Sequence, residues 1–315
     1  MRKEEVMPAK LLEGRLLAEK IKEGLKKEIE LLKKEGYPLL LAAVQVGEDF
    51  ASRVYLKQQK KACQELGIDY QTKELPSQIT QEELLSFIES LNQDKKITGI
   101  ILQMPLPSHL NAHQIQMRLS PLKDVESIHP LNMGRLIYGD NKIFPPTAGA
   151  VVELLKSTGQ DLKGKEIVII GHSEIVGKPL SLLLLQSEFS SPTVTVCHIA
   201  TQDLAFHTRR AEILIVAVGK PQLIKADSLK EGAIVIDVGI NRVPVLDEKG
   251  REVLDERGRP IFQIVGDVEF EKAKEICSYI TPVPGGVGPL TTALLLKNTV
   301  ECAKLQKTSQ LDTFF

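Results

Sequence analysis

Tryptophan is absent from this 315-residue chain, and aromatic residues make up only 4% of it. The interior must therefore be filled by leucine, isoleucine, valine and alanine. Apolar residues amount to 43% of the sequence, which is enough to form a real core. The length suits two domains of ordinary size.

Several other features are missing, and each absence excludes a class of protein. No apolar run approaches the roughly 20 residues that cross a bilayer, and the start, "MRKEEVMPAK", lacks the apolar segment of a signal peptide. The 40 basic and 41 acidic side chains are well mixed, whereas nucleic-acid binding needs a basic face. The four cysteines form no CxxC pair, and the six histidines lack the spaced ligands of a metal site. We expect a cytoplasmic protein without a metal, a nucleic-acid partner or a membrane partner.

Alternation between helix and strand patterns dominates the first half of the chain. The helical pattern "KLLEGRLLAEKIKEGLKKEIELLKKEG" ends at Gly36, which suits a helix C-cap. The apolar runs "PLLLAAVQVG" and "ITGIILQMPLP" predict buried strands, and "DYQTKELP" predicts a further strand. Helices are predicted around Tyr55 and after Thr80. This β-α-β-α-β order predicts a mostly parallel sheet with helices on both faces.

The second half repeats the alternation from about Thr147 onward. The segment "GKEIVIIGHSEIVGKPLSLLLL" predicts a strand, a glycine turn and a helix, with Gly171 ending the strand and Gly177 entering the helix. Such a turn lets backbone N–H groups and a helix N-terminus approach a pyrophosphate. Because the spacing is G-x5-G rather than G-x-G-x-x-G, a plain tight turn is the alternative. The later strand ends "AVGKP" and "DVGIN" favour a dinucleotide site, since ligands bind at the carboxyl ends of strands in open parallel sheets.

A tandem repeat interrupts this pattern at residues 242–263. The segments "VLDEKGRE" and "VLDERGRP" are near-identical, with Gly250 and Gly258 placed where a positive φ is expected. We predict an exposed hairpin-like excursion that is a solvated insertion rather than a functional element.

A set of ordered motifs resembles one known family. They are "GIILQMPLP", "KDVESIHPLNMGRL", "GHSEIVGKPLSLLLL", "VTVCHIATQDL", "GAIVIDVGIN" and "YITPVPGGVGPLTTALLLKNTV", and the run "TPVPGGVGP" is highly specific. From about Leu11 to Cys302 the chain resembles the bifunctional methylenetetrahydrofolate dehydrogenase/cyclohydrolase family. The resemblance implies two α/β domains, the second a Rossmann-like parallel sheet, with an interdomain cleft. Residues 1–146, completed by the C-terminal helix 289–306, would bind folate, and residues 147–288 would bind the dinucleotide.

The resemblance also implies two reactions and a homodimer. Hydride passes from 5,10-methylenetetrahydrofolate to NADP or NAD, and the methenyl cation that results is hydrolysed to 10-formyltetrahydrofolate. Two flanking nitrogens stabilise the cation, so the dehydrogenase mainly aligns two ring systems. The hydrolysis needs a positioned acid/base network.

Particular residues match the family's functional positions. The implied catalytic residues are Tyr55, Gln59 and Gln103. The implied substrate-binding residues are Tyr55, Gln103, Glu126, Pro282, Gly285 and Gly286. The implied cofactor-binding residues are Thr147, Gly171, His172, Ser173, Gly177, Ile199 and Ile240.

The chain departs from the family pattern at Gln59. The family's network uses a tyrosine, a lysine four residues later and a glutamine from "Q-x-P-L-P"; Tyr55 and Gln103 match, but Gln59 occupies the lysine position. Residues i and i+4 share a helix face. The neighbouring lysines are rotated away from that face by about 120° to 160°: Lys57, Lys60 and Lys61. Since glutamine cannot ionise, we predict an impaired cyclohydrolase and a persisting dehydrogenase.

Two further departures concern the ligands. Glu126 and Ser127 stand where the family usually has Asp-Gly; Glu126 keeps the charge but adds a methylene, and Ser127 removes freedom at positive φ. Folate binding is therefore expected to differ. NADP-using relatives often have arginine at His172 and a polar or basic residue at Ile199. An imidazole and an isoleucine suit a 2′-phosphate less well than a guanidinium, so we predict a smaller preference for NADP than usual.

Two alternatives stay open. One is a catalytically degenerate paralogue that binds folate or nucleotide for regulation. Altered residues at three functional places favour it, whereas the retained Tyr55, Gln103, Thr147 and "TPVPGGVGP" argue against it. The other is an enzyme of the same reaction type that acts on a different reduced pterin.

Overall fold

The computed structural model of the protein describes residues 8–47, 50–140, 142–187, 190–247 and 249–312. The helices and strands predicted from the sequence patterns are present, with bounds that shift by a few residues. The strands are β1 (Lys10–Leu11), β2 (Leu40–Val46), β3 (Asp69–Leu75), β4 (Gly99–Leu102), β5 (Glu166–Ile170), β6 (Thr193–Cys197), β7 (Ile213–Val216), β8 (Ile234–Asp237), β9 (Asn241–Pro244), β10 (Phe262–Val265) and β11 (Tyr279–Ile280). The helices are α1 (Gly14–Lys34), α2 (Phe50–Leu66), α3 (Gln81–Gln93), α4 (Ala112–Arg118), α5 (Pro130–Ile137), α6 (Pro146–Ser157), α7 (Gly177–Leu184), α8 (Leu204–Arg210), α9 (Phe270–Ala273) and α10 (Val287–Asp312), with a short 3-10 helix at Ala226–Ser228.

The chain divides into two compact units. The three-stranded unit comprises Leu16–Gly149 and Leu290–Phe315, and its sheet has the order β3-β2-β4. The six-stranded unit comprises Met1–Arg15 and Ala150–Pro289, and its sheet has the order β1-β11-β8-β7-β5-β6. The separate β9–β10 ribbon also belongs to the six-stranded unit.

The N-terminal segment is where this division differs most from the expected domains. Strand β1 pairs in parallel with β11, with Lys10 opposite Tyr279 and Leu11 opposite Ile280. Residues 1–146 were expected to form one domain, whereas β1 lies in the six-stranded sheet. Both residues of this strand are exposed, so no apolar pattern marks the pairing in the sequence.

Strand β2 forms the centre of the three-stranded sheet and is buried on both faces. It pairs in parallel with β3 on one side and β4 on the other. Leu41 and Ala43 pack into a cluster with α1, α2 and α10, while Ala42 and Val44 pack with α3 and α4. Each fully buried aliphatic side chain of leucine size contributes about 1.5–3 kcal/mol. Burial on both faces explains why the strand reads as a continuous apolar run rather than an alternation.

The six-stranded sheet is entirely parallel. From β5 the chain passes to β6 on one side and then to β7 on the other, so the strand order reverses between β5 and β7. In doubly wound sheets the ligand crevice lies at such a reversal, outside the carboxyl ends of the strands. The topology therefore predicts a ligand site beside the residues that follow β5 and β7.

The repeat segment forms the exposed excursion that its sequence predicts. Strands β9 and β10 pair antiparallel, and Gly250 and Gly258 have φ values of 74° and 72°. Backbone hydrogen bonds join three positions eight residues apart in a ring: Val245 donates to Ile261, Ile261 to Val253, and Val253 to Val245, each at 2.8 Å. The tandem repeat thus closes on itself and makes its turns with local bonds.

Asn298 of α10 fixes the segment that follows β4. The side chain is fully buried, and its Nδ2 donates to the carbonyl oxygens of Val125 at 2.8 Å and Phe144 at 2.7 Å. Two stretches distant in sequence are thereby held on one helix.

We predict that Asn298→Leu lowers the free energy of unfolding by about 2–4 kcal/mol, because two buried carbonyl groups lose their donor. Urea unfolding measures the change. Thr308→Ala, on the exposed part of the same helix, should change stability by less than about 0.5 kcal/mol. Equal effects of the two substitutions would contradict this role of Asn298.

Candidate active site

Gln59 lies at the centre of a hydrogen-bonded group in the three-stranded unit. It is four residues after Tyr55 on α2, so the two side chains share a helix face, and it is only 1% exposed. Its Oε1 accepts a hydrogen bond from the Tyr70 hydroxyl at 2.9 Å. A longer and weaker contact comes from Gln103 Nε2 at 3.5 Å. Position 59 therefore holds an uncharged amide whose oxygen is already occupied.

Tyr70 was not expected in this group, and the strand register explains its presence. Tyr70 lies opposite Leu41, and Ile101 lies opposite Ala43. Paired residues on neighbouring strands share a face of the sheet, and side chains alternate along each strand. Tyr70 and Gln103, two residues after Ile101, are thus on the face that α2 covers. Side chains alternate between the two faces of the sheet along "DYQTKELP". The face on which Tyr70 lies follows from this pattern only when the pairing of β3 with β2 is known.

The nearby lysines form a solvated face, as predicted. Lys57, Lys60 and Lys61 are exposed, and the first two line an open recess of about 490 Å³ beside β2 and β3. Burial first, and then the Glu126 carboxyl group, raise the pKa of Tyr55 to about 12. An ammonium close to the phenol would act in the opposite direction. None of these lysines therefore replaces the missing amine.

A tight turn around Asp124 carries Glu126. The Asp124 carboxylate accepts backbone hydrogen bonds from Ile128 at 3.1 Å and His129 at 2.8 Å. Burial, and then Asp124, raise the pKa of Glu126 from its ordinary value of 4.5 to about 8, against the opposing hydrogen bond from the Leu102 N–H. The group is mostly protonated at neutral pH. Burial outweighs the hydrogen bond, so the carboxyl group that the sequence comparison treats as charged holds its proton more tightly than an exposed glutamate does.

Ser127 has the backbone conformation that its glycine counterpart would favour. Its φ is +56°, and the residue is fully buried. Residues with a Cβ enter this region at a cost of about 1 kcal/mol or more. The predicted loss of freedom at positive φ is confirmed, and the turn that presents Glu126 is strained.

The glycine turn after β5 requires both of its glycines. A Cβ on Gly171, which has a φ of +121°, would lie 2.3 Å from the Ala217 carbonyl oxygen, and a Cβ on Gly177 would lie 1.9 Å from the Gly171 oxygen. Ser173 Oγ accepts a hydrogen bond from the Val176 N–H at 3.2 Å. The turn lies at the reversal of strand order between β5 and β7. Its bare backbone fits the close approach of a pyrophosphate.

The strand ends around this turn offer imidazole and apolar side chains. His172 follows β5 and His198 follows β6, and their ring centroids are 5.0 Å apart. Ile199 and Ile240 are 57% and 63% exposed. None of these four positions carries a guanidinium for a 2′-phosphate.

The run "TPVPGGVGP" is tied to the end of β8. Thr281 Oγ1 accepts a hydrogen bond from the Asp237 N–H at 2.7 Å, and the Gly286 N–H donates to the Pro282 oxygen at 2.8 Å. Gly285 has a φ of +118°. These bonds tie the start of the loop to β8 and close its Pro282–Gly286 turn.

The predicted site residues fall into two sets. The three-stranded unit contains Tyr55, Gln59, Gln103, Glu126 and Thr147, of which the first three belong to the region around α2 and β4, and Thr147 lies in the first turn of α6. The six-stranded unit contains Gly171, His172, Ser173, Gly177, Ile199, Ile240, Pro282, Gly285 and Gly286.

Family comparison matches both halves of the chain. The model of the tetrahydrofolate dehydrogenase/cyclohydrolase catalytic domain matches residues 12–126. The model of the NAD(P)-binding domain of the same family matches residues 145–307. The chain belongs to the tetrahydrofolate dehydrogenase/cyclohydrolase family.

Relatives in this family match 95–96% of the chain. The bifunctional protein FolD of Acetivibrio thermocellus is 49% identical over 300 residues, which covers 95% of this chain and 99% of the relative. The crystal structure of the bifunctional FolD from Campylobacter jejuni has 45% identity and a TM-score of 0.85, covering 95% of this chain and 99% of that one. The Trypanosoma brucei enzyme, solved with NADP cofactor and inhibitor, has 36% identity and a TM-score of 0.85, covering 96% and 99%.

Family membership confirms the predicted fold class of two α/β domains with a parallel sheet. The protein is an enzyme of the methylenetetrahydrofolate dehydrogenase/cyclohydrolase family, and it carries that family's NAD(P)-binding domain. The cofactor class, NADP or NAD, is confirmed on the same basis.

Membrane-spanning helices and metal-ligand clusters are both absent from the described ranges. None of the helices there combines the length and the apolar character that a bilayer crossing requires. In the same ranges, no three His, Cys, Asp or Glu side chains are grouped so as to hold a metal ion.

We predict that Gly177→Ala weakens NAD and NADP binding by more than about tenfold, because the new methyl group must displace the Gly171 carbonyl from the turn. Titration calorimetry measures both affinities. Gly24→Ala is the matched control: a Cβ there meets nothing within 4 Å. Alanine in the helix should add about 0.5–1 kcal/mol of stability and leave binding unchanged. Unaltered nucleotide affinity in Gly177→Ala would contradict the assignment of the turn.

We predict that Glu126 makes the protein less stable as the pH rises from about 5 to 8. Between its ordinary pKa of 4.5 and its folded pKa of about 8, the folded chain holds a proton that the unfolded chain releases, so stability falls across this window. Because Glu126 keeps some accessible surface, solvent screens part of the cost, and we expect a fall of about 1–2 kcal/mol. Glu126→Gln should remove this part of the slope.

Urea unfolding at several pH values tests the Glu126 prediction. The readout is the difference between the wild-type and variant slopes. Glu30→Gln, an exposed carboxylate in the same unit, should leave the slope unchanged. A wild-type protein and a Glu126→Gln variant with parallel pH profiles would show that this carboxyl group is not held protonated.

Proposed function

We propose that this protein acts as a methylenetetrahydrofolate dehydrogenase whose cyclohydrolase activity is impaired. The observation that carries the proposal is the buried, hydrogen-bonded amide of Gln59. It holds an uncharged amide, 1% exposed, that accepts hydrogen bonds from Tyr70 and Gln103. The family's acid/base network has a lysine there, so this chain keeps a group that orients but lacks one that ionises.

The first reaction, hydride transfer, needs the side chains mainly to bind and orient the reactants. Hydride leaves a carbon that lies between two nitrogens, and both nitrogens stabilise the product cation. When bound, the nicotinamide ring of NAD(P) accepts that hydride. The pKa of Tyr55, about 12, keeps its phenol neutral near pH 7, and Tyr55 and Gln103 can hold the folate without exchanging protons. Loss of a lysine therefore leaves this step intact.

The second reaction needs a proton acceptor. Water attacks the methenyl carbon, and the attacking water must give up a proton. Tyr55 has a pKa of about 12 and Glu126 one of about 8, so near neutrality the phenol stays protonated and the carboxyl group holds its proton most of the time. Loss of an acid/base group typically costs about 10²–10⁴ in rate, or roughly 3–5 kcal/mol. Hydrolysis of the methenyl cation should be slow for this reason.

The proposed binding of the dinucleotide depends on the glycine turn and the residues beside it. Gly171 and Gly177 leave the backbone bare, and α7 begins directly at the turn, which suits a pyrophosphate. His172 and Ile199 offer no guanidinium to a 2′-phosphate. NAD is therefore proposed as a cofactor beside NADP, with a smaller NADP preference than the family usually shows.

The remaining expectations form part of the same proposal. The three-stranded unit binds the tetrahydrofolate derivative, with contributions from Glu126, Pro282, Gly285 and Gly286. Thr147, Ser173 and Ile240 contact the dinucleotide. The protein is a homodimer in the cytoplasm, and it needs neither a metal nor a nucleic acid.

We predict that the purified protein hydrolyses added methenyltetrahydrofolate at close to the buffer rate and that Gln59→Lys raises the rate by about 10- to 100-fold. The gain falls short of the full range because Tyr70 and Gln103 are placed to donate to an amide oxygen rather than to accept from an ammonium. Gln58→Lys, on the exposed side of the same helix turn, should give no gain. Spectrophotometric decay of the methenyl compound measures all three rates.

Two outcomes would contradict this reading in different ways. Wild-type hydrolysis as fast as in a lysine-containing relative would show that another group replaces the amine. If methylenetetrahydrofolate with NAD or NADP gave no reduced nucleotide at all, the degenerate paralogue would be the better description.

We predict that kcat/KM for NADP exceeds that for NAD only by a small factor and that His172→Arg raises kcat/KM for NADP by about tenfold. An arginine pairs with a phosphate through two parallel hydrogen bonds. Gln160→Arg, at an exposed and uncharged position before the amino end of β5, introduces one arginine away from the turn and should leave the ratio unchanged. Steady-state kinetics with both nucleotides decide the matter, and a strong wild-type preference for NADP would refute the prediction.

A further inference from the structure

Tyr70 belongs to the Gln59 group, but the family pattern assigns it no role. Its hydroxyl donates to Gln59 Oε1 at 2.9 Å, which is a bond of ordinary length. Its ring packs against the core cluster that α1, α2 and α10 form on that face of the sheet. The ring is thus held by packing, and the hydroxyl is held at the Gln59 amide.

Burial keeps the Tyr70 hydroxyl in its donating form. Burial first, followed by Cys63 and Glu126, raises the pKa of Tyr70 far above its ordinary value. A phenol that retains its proton can satisfy the amide oxygen of Gln59 at all pH values of interest. Its bond to Oε1 holds the Gln59 amide in the orientation that turns this oxygen toward Tyr70.

A lysine and a glutamine at position 59 make opposite demands on Gln103. A lysine ammonium only donates hydrogen bonds, so it would take the carbonyl oxygen of Gln103 and leave the NH2 for a ligand. The Gln59 oxygen only accepts, so it takes Gln103 Nε2, at 3.5 Å, and leaves Gln103 Oε1. Gln103 is partly exposed, in keeping with a side chain that a ligand can reach.

We propose that Tyr70 is a positioning residue, which fixes the Gln59 amide and through it turns the Gln103 carbonyl oxygen toward the folate. The inference rests on the proposed function, because it takes a folate as the ligand of this site. The chain offers its ligand a hydrogen-bond acceptor where a lysine-containing arrangement offers an N–H donor. Tyr70 and Gln59 act as a pair, and each loses its effect on the ligand without the other.

A double-mutant cycle on folate affinity tests this coupling. Tyr70→Phe removes only the hydroxyl, and Gln59→Met keeps the side-chain length without the amide. Calorimetric titration with tetrahydrofolate gives the dissociation constants of the wild type, both single variants and the double variant. Tyr70→Phe should weaken binding about fivefold to tenfold in the wild type and by less than about twofold in Gln59→Met.

Controls separate positioning from a general structural effect. Tyr37→Phe removes a hydroxyl from the other tyrosine packed on the same core cluster, and it should leave tetrahydrofolate affinity unchanged. The affinity for NAD should be the same in every variant. If Gln59→Met does not fold, Gln59→Leu takes its place in the cycle, with thermal unfolding confirming that each variant is native.

Gln103→Glu gives a second and independent readout of the amide orientation. It places a carboxylate oxygen against the Gln59 oxygen, so it should lower the unfolding temperature in the wild-type background. In Gln59→Lys the same substitution should raise that temperature, since the carboxylate then meets an ammonium.

The possible results separate failure of this inference from failure of the proposed function. Equal losses from Tyr70→Phe in both backgrounds, or a Gln103→Glu variant more stable than the wild type, would overturn the inference and leave the proposed function standing. Failure of the wild-type protein to bind tetrahydrofolate at all would overturn the proposed function and this inference together.

Discussion

The central constraint on this structure is that a buried amide must find hydrogen-bond partners. Gln59 is almost completely enclosed by protein, and the hydroxyl of Tyr70 and the amide of Gln103 meet its oxygen. Three elements must be in register for this to happen, because α2 carries Gln59 and the other two residues are on or directly after β3 and β4. The parallel pairing of β2 with both neighbours sets that register. The core packing of the three-stranded unit and the polarity of its functional region are thus determined together.

The same substitution shapes the electrostatics around the amide. With glutamine at position 59, no positive charge contributes to the pKa of Glu126 or of Tyr55 among the described residues, and burial is the largest influence on each. Glu126 is held mostly protonated and Tyr55 fully so. A region built from such groups can bind and orient a folate, but apart from Glu126, whose pKa lies near neutrality, it has little capacity to exchange protons. Retention of hydride transfer and loss of hydrolysis are the two consequences we draw from that difference.

Most of the fold could be predicted from the sequence because its signals are local. The apolar run of β2, the capping box at Thr80 and the glycines of the excursion each act within a few residues. The position of Tyr70 could not be predicted in the same way, since it depends on which residue of β2 it faces. The pairing of β1 with β11 is also a long-range event between short strands. The raised pKa of Glu126 was missed for a related reason, because burial is a property of the packed unit and not of the motif "KDVESIHP".

The most direct test of the central claim is the product that accumulates when methylenetetrahydrofolate is converted with NAD or NADP in a single incubation. Chromatographic separation of the methenyl and formyl products, corrected for spontaneous hydrolysis, gives the share of each. We expect reduced nucleotide to form in step with the methenyl compound, while the formyl compound stays at the level of the buffer control. Formation of formyltetrahydrofolate in step with reduced nucleotide would contradict the claim that the buried amide at position 59 impairs hydrolysis of the methenyl cation.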